Sequence, residues 1–350
     1  MKKLLTHFVS QFPNHSKQLV ALNYLLEGLL KKYFNRVHDA ERICNILFNR
    51  GDILFNDHIA FRSIDIRSLL KIFLPYGYRA QMARDGHLFN FQNKHLTALW
   101  LKHWHPAYPY IFLSECRFQE IPGADLILQP YFESFQDPID EIAPLDSYGH
   151  LNYLHCSRWP LPSLHDYQAL SKKSEYLSWI LYNQYYLNHF TLEIQRLKSF
   201  SFQKKLLHYY KENYPLKPIY CQQMKQFVSF LIRHQFRLNS NQNQDFHCSN
   251  DGLLLQCSTQ SQTISAKFSD GYYDIPGSYV EFAYRGYKQD HWVGQIDQRN
   301  AFREGFETNN ADKIFESTFI EKETSNKDAP STSFLKETEQ RIYDFLHEFN

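Results

Sequence analysis

Three residues carry the chemistry that this sequence could support: His58, His189 and Glu281. Each sits in a short alternating run: "NDHIAFRS" (56–63), "LNHFTLEI" (187–194) and "SYVEFAYR" (278–285). Successive side chains of a strand point to opposite faces. His58, Ala60 and Arg62 therefore share one face of the first run. His189, Thr191 and Glu193 share one face of the second, and Tyr279, Glu281, Ala283 and Arg285 one face of the third. The opposite faces are apolar. Three such polar faces, if they converge, line a cavity. Two neutral imidazoles and one carboxylate form the facial set that suits non-haem Fe(II), with positions left open for a substrate and oxygen. The spacing also fits ordinary half-exposed strands with solvated polar faces. No local metal motif joins the three residues, so only the fold can bring them together.

Other pairs compete less well. His103 and His105 in "KHWHP", His150 and His155 in "HLNYLHC", and His247 beside Cys248 bring no nearby carboxylate and no complete ligand set. A Gly-rich phosphate loop, a serine elbow and a Cys-His-Asn signature are absent, which weakens kinase, dehydrogenase and serine-hydrolase readings.

The elements that must position these residues follow from periodicity. Residues 1–50 predict helices: "QLVALNYLLEGLLKKYF" has apolar positions at helical spacing, and "DAERICNILFNRG" has an acidic start and a Gly stop. From 52 the pattern turns to a short strand, then helix, turn and further strands to about 135. "PSLHDYQALSKKSEYLSWILYNQYYL" predicts helix and leads into the second His. After it the order repeats: a strand, helix-like "SFQKKLLHYYKENY" and "CQQMKQFVSFLIRHQF", two strands in "GLLLQCSTQSQTISAKFSDG", and a third in "GSYVEFAYRGY". We expect an α+β fold of two pseudo-repeated strand-helix-strand modules covered by helices, with a metal-holding β-cup between them if the three polar faces converge. The divisions expected are an N-terminal helical segment (1–50), a catalytic core (51–317, with modules at about 51–135 and 187–290), and a linker with a C-terminal helix (318–350).

The bulk properties are those of a folded protein. The 350 residues are 43 % hydrophobic, with 24 Tyr and 29 Phe. Lys plus Arg is 38 against 37 Asp plus Glu, for a net charge of +1, which argues against a nucleic-acid partner. No apolar run reaches membrane-spanning length. The start "MKKLLTHFVSQFPNHS" is interrupted by polar residues and predicts a helix and not a signal peptide. Six cysteines without a CxxC pair fit buried thiols in a reducing cytoplasm.

The sequence resembles the Fe(II)-dependent 2-oxoadipate dioxygenase/decarboxylases, or hydroxyglutarate synthases, which look like elaborated relatives of vicinal-oxygen-chelate enzymes. The resemblance lies in "DHIAFRS" (57–63), "LNHFT" (187–191), "LLLQCST" (253–259), "PGSYVEFAYR" (276–285) and "GFETNNADKIFEST" (305–318), in that order. It implies that His58, His189 and Glu281 bind iron and that Arg62 binds a substrate carboxylate. It further implies turnover of a 2-oxo diacid (2-oxoadipate) with O2 to 2-hydroxyglutarate and CO2, a step of lysine catabolism. Arg285 shares a face with Glu281 and is expected as a second carboxylate clamp or as a partner of Glu281. After "NHFT" the chain has Leu192-Glu193 in place of a Pro-Arg-like pair, a departure that leaves the substrate open. Two other readings remain: a metal-dependent isomerase, lyase or ring-cleaving dioxygenase of vicinal-oxygen-chelate type, and a non-catalytic binding protein that keeps the fold. Oligomeric state is not legible.

Overall fold

The structure is a computed structural model that describes residues 1–83, 85–133, 137–200, 217–239, 246–288, 301–307 and 332–349. The helix expected over 201–214, the linker from 318 and the matching stretch beyond residue 307 lie outside the described residues.

The N-terminal helices are α1 (Lys2–Val9), α2 (Lys17–Arg36) and α3 (His38–Asn49). Ser16 caps α2 by accepting from the Leu19 amide at 3.2 Å. Leu19, Leu22, Leu26, Leu29, Leu30 and Tyr33 bury one stripe of it. They pack on the apolar face of a nine-stranded sheet, together with Ile59, Phe61, Leu99, Leu101, Ile111, Leu113, Phe190, Leu192, Val280 and Phe282.

The strands of that sheet come in two sets. The first has β1 (Asn56–Ser63), α4 (Arg67–Phe73), β2 (Tyr78–Gln81), β3 (Phe89–Phe91), β4 (Leu96–His103) and β5 (Tyr110–Cys116). After α5 (Ala124–Phe132), α6 (Ser147–Tyr153), α7 (Leu164–Lys173) and α8 (Glu175–Asn183), the second set begins with β6 (His189–Glu193). It continues through α9 (Lys217–Arg233), β7 (His247–Cys248), β8 (Leu254–Ser258), β9 (Thr263–Phe268), β10 (Gly271–Pro276) and β11 (Tyr279–Arg285). A last helix, α10 (Thr332–Phe349), lies near β4.

The two sets mirror each other. In each, the opening strand pairs in parallel with the closing strand, which pairs antiparallel with an earlier strand of its set: β1–β5–β4 and β6–β11–β8. β1 and β6 then join antiparallel at the centre, giving the order β2-β4-β5-β1-β6-β11-β8-β7, with β3 paired to β4. The doubled α+β architecture expected from the repeated pattern is the one observed. One detail differs. β9 does not join the large sheet but pairs with β10 as a separate hairpin, whose Ala266, Phe268 and Ile275 pack on Tyr167 of α7.

Among the described residues, no helix is long and apolar enough to cross a membrane.

Candidate active site

The centre of the sheet sets the geometry. In register, Thr191 of β6 lies opposite His58 of β1 on one side and opposite Glu281 of β11 on the other. His189 lies two residues from Thr191, on the same face. The three candidate ligands thus come from three adjacent strands around one small side chain. Their donor atoms all lie within 4.8 Å of one another. His58 Nε2 and His189 Nε2 are 3.3 Å apart, His189 Nε2 is 3.3 Å from Glu281 Oε2, and His58 Nε2 is 3.6 Å from Glu281 Oε1. Three donors each about 2.1 Å from a shared ion would stand roughly 3.0–3.4 Å apart. All three are buried.

Each ligand is held from behind by one neighbour. Asp57 Oδ2 accepts from His58 Nδ1 at 2.8 Å, and Asn188 Oδ1 accepts from His189 Nδ1 at 3.0 Å. These bonds put the proton on Nδ1 of both rings and leave both Nε2 lone pairs facing the third ligand. Gln256 Nε2 donates to Glu281 Oε1 at 2.7 Å. Burial, with the charge of Arg62 nearby, holds His189 well below its ordinary pKa, so the ring is neutral as a metal ligand must be. Burial also pushes the Glu281 carboxyl up, against the pull of His58 and Gln256. A carboxyl driven toward its neutral form by desolvation, facing two unprotonated imidazole nitrogens, is a site that a cation completes. The residues present fit a divalent transition metal.

Asp57 escaped the reading by alternation, which puts it on the face opposite His58. The pairing of Asn56 with Leu192 and of His58 with Thr191 leaves Asp57 as an extra residue, a β-bulge. The bulge turns its carboxylate toward His58, and Arg285 meets it there. Arg285 Nε donates to Asp57 Oδ1 at 2.6 Å and Nη2 to Oδ2 at 2.8 Å, while Nη1 donates to the Arg303 and Gly305 carbonyls at 3.1 and 2.8 Å. Burial pushes the Asp57 carboxyl up, but Arg285 and the bond to His58 outweigh it and hold the group below the usual carboxylate range. Arg285, expected as a clamp for substrate or a partner of Glu281, has its guanidinium taken up by Asp57 and two carbonyls. It reaches the metal site through His58.

Arg62 differs. It is 1 % exposed, and its Nη1 donates to Glu175 at 3.0 and 3.3 Å. Its Nε and Nη2 are buried and have no hydrogen-bond partner among the described residues. Those two nitrogens form the side-on edge of the guanidinium, the edge that Arg285 closes on Asp57. The rings of Tyr176 and Trp179 on α8 lie 5.0 and 5.2 Å from the Arg62 guanidinium carbon. Trp179 is fixed by donating to the Gly277 carbonyl at 3.0 Å.

An aromatic group closes the polar face. Phe306 lies edge-on to His58, with ring centroids 4.9 Å apart, and packs with Trp100, Tyr110 and Phe112. Glu193, of the Leu192-Glu193 pair, is buried and accepts from Gln195 Nε2 at 2.5 Å. The competing histidines are engaged elsewhere. His103 Nε2 bonds the Tyr76 carbonyl, while its Nδ1 accepts from the His105 amide. His150 meets Tyr76, and His155 the Leu151 carbonyl.

Paired modules share one sheet and bring together at its centre two His and one Glu that could hold a metal ion. The fold is shared by a putative glyoxalase superfamily protein from Ralstonia eutropha JMP134, with a TM-score of 0.61 at 15 % identity, over 82 % of this chain and 96 % of that one. The chain belongs to the 2-oxoadipate dioxygenase/decarboxylase family, whose pattern matches residues 25–291. It is 31 % identical over 314 residues to the 2-oxoadipate dioxygenase/decarboxylase, chloroplastic/amyloplastic, of Oryza sativa subsp. japonica, covering 84 % of this chain and 78 % of the rice protein. The crystal structure of the hydroxyglutarate synthase from Oryza sativa in complex with 2-oxoadipate superposes with a TM-score of 0.71 at 29 % identity, over 87 % of this chain and 94 % of that one.

Proposed function

We propose that this protein is a non-haem Fe(II) dioxygenase/decarboxylase that converts 2-oxoadipate and O2 to 2-hydroxyglutarate and CO2. The observation that carries the reading is the pairing of two features beside β1. One is a facial His58, His189 and Glu281 set; the other is the buried Nε–Nη2 edge of Arg62, which no described residue fills. A diacid with an oxo group at one end has a group for each.

His58, His189 and Glu281 would hold the iron, which when bound supplies a Lewis acid for the 2-oxo acid end and the redox chemistry that O2 requires. The protein supplies orientation. Asp57 and Asn188 keep both imidazoles in the tautomer that presents Nε2, and Gln256 keeps Glu281 from turning. Arg62 grips the distal carboxylate in a two-point fork, a geometry that a Lys cannot copy. Arg62 and His58 lie on the same strand four residues apart, about 13 Å at the backbone. The long Arg side chain must therefore lean back for one diacid to reach both. Phe306, Trp100, Tyr110 and Phe112 exclude water beside His58.

The test is oxygen uptake by protein loaded anaerobically with Fe(II), with and without 2-oxoadipate, followed by assay of 2-hydroxyglutarate. Uptake matched by product is the expected result. Metal-dependent turnover without uptake would overturn the oxygenase reading in favour of an isomerase or lyase.

A further inference from the structure

A cavity of about 520 Å³ lies between the end of α2, the segment 157–162, the end of α8 and β9. It shares no residue with the metal site or with the surroundings of Arg62. Its lining carries two basic side chains, Arg36 and His38, and no carboxylate. Leu161 and Pro162 give it an apolar side, and Tyr182 and Tyr186 an aromatic one. The volume is that of a site for a small organic molecule and not for a bare ion.

Arg36 is held in place by neutral groups alone. Its Nη2 donates to Asn183 Oδ1 at 2.6 Å, and its guanidinium carbon lies 4.2 Å from the centre of the Tyr186 ring. Asn183 is fixed in turn, donating from Nδ2 to the Trp179 carbonyl at 3.1 Å. Among the described residues, Arg36 makes no ion pair, and its Nε and Nη1 have no hydrogen-bond partner. A guanidinium oriented in advance loses little freedom when a ligand arrives.

A second guanidinium stands close by. Arg158 is 8 % exposed, with its carbon 4.1 and 4.0 Å from the rings of Tyr153 and Tyr185. Its Nε and Nη1 are buried without a hydrogen-bond partner among the described residues. Its amide donates at 2.7 Å to Oε1 of Gln184, a residue of the cavity wall. Burial, then the charges of Lys32, Arg36 and Arg158, hold His155 down to about 4, so three cations bear on one neighbourhood. Partly desolvated charge of one sign, with no carboxylate in the cavity, favours an anion there.

We propose that this cavity is a second ligand site, which takes a small organic anion with its oxyanion head on Arg36 and its body against Tyr182, Leu161 and Pro162. The proposal does not depend on the reaction assigned to the metal site.

Calorimetry on the full chain tests it with benzoate, phenyl phosphate and benzamide, the neutral counterpart of benzoate. Arg62 could also hold a carboxylate, so the titrations are made in Arg62→Gln. At least one of the two anions is expected to bind that protein, and the tighter one identifies the head as carboxylate or phosphate. Benzamide is expected to bind about tenfold more weakly, and adding Arg36→Gln to lower the anion affinity about tenfold, the loss of one charged hydrogen-bonding partner. Leu161→Glu, at a position 44 % exposed, sets a like charge at the rim and leaves Arg36 in place. It is expected to weaken the anion about threefold, which keeps the site testable if Arg36→Gln fails to fold.

No binding of either anion to the Arg62→Gln protein would overturn the site. So would an affinity that neither Arg36→Gln nor Leu161→Glu changes, or benzamide that binds as tightly as the anions.

Discussion

Asp57 and Arg285, 228 residues apart in the chain, close on each other through two bonds of 2.6 and 2.8 Å in the buried centre of the protein. The Asp57 oxygen that takes Nη2 also accepts from His58 Nδ1 at 2.8 Å, so a guanidinium on β11 orients a ring of the candidate metal site on β1. Arg62 offers the same edge of the same group, buried and without such a partner among the described residues.

Asp57→Ala is expected to act on stability and on metal together. Leaving Arg285 buried without its carboxylate costs about 3–5 kcal/mol. Freeing His58 Nδ1 lowers metal affinity by about 10–100-fold. Denaturant titration and a competitive metal titration read the two effects separately. Metal affinity equal to wild type would show that the ring needs no support.

Loss of a ligand should be selective for the metal. His58→Ala and Glu281→Ala are each expected to abolish stoichiometric iron loading, measured by elemental analysis, while the circular dichroism stays native. In wild type, Fe(II) at a hundredfold excess over its Kd should add about 2.7 kcal/mol of stability. Chelation should remove it, and neither variant should show it. Retained iron in both variants would dismiss the ligand set.

Arg62→Lys should spare iron and penalise the diacid. Losing a charged two-point contact corresponds to about a 10–100-fold rise in KM for 2-oxoadipate. A saturation curve that overlays wild type would rule out the fork.

Acid stability should report two histidines, the buried His103 and the half-buried His155, away from the candidate metal site. Burial holds His103 and His155 down to about 4, below their ordinary 6.5. A depressed pKa in the folded state means that the unfolded chain takes up protons first. The contribution to stability is then complete above pH 6.5 and is lost as pH falls toward 4. The Tm of metal-free protein should drop across that window, and His103→Asn should lessen the drop. The same slope in the variant would assign the effect to other groups.

Much of this was legible in the linear chain because strands have a two-residue period. Alternation in "DHIAFRS", "NHFTLE" and "SYVEFAYR" put His58 with Arg62, His189 with Thr191, and Glu281 with Arg285. The apolar partners Ile59, Phe61, Phe190, Leu192, Val280 and Phe282 are those that meet the helices. The doubled order of elements was likewise visible, since each module repeats the same local patterns.

The supports of the site were not. Asp57 is turned toward His58 by a bulge, which is a property of the pairing between β1 and β6 and leaves no mark in local periodicity. Gln256 reaches Glu281 only because β8 pairs with β11 at a register that places Ser258 opposite Glu281. Glu175 meets Arg62 across 113 residues, from a helix whose sequence signals nothing beyond a capped start.

The sequence by itself determined which residue types could bind a metal and a carboxylate, and on which face of each strand they stand, because side-chain alternation is local. Only the tertiary structure decided that one arginine is sealed by an internal carboxylate while the other keeps its fork open. That choice depends on strand register and on what each buried charge meets across the sheet.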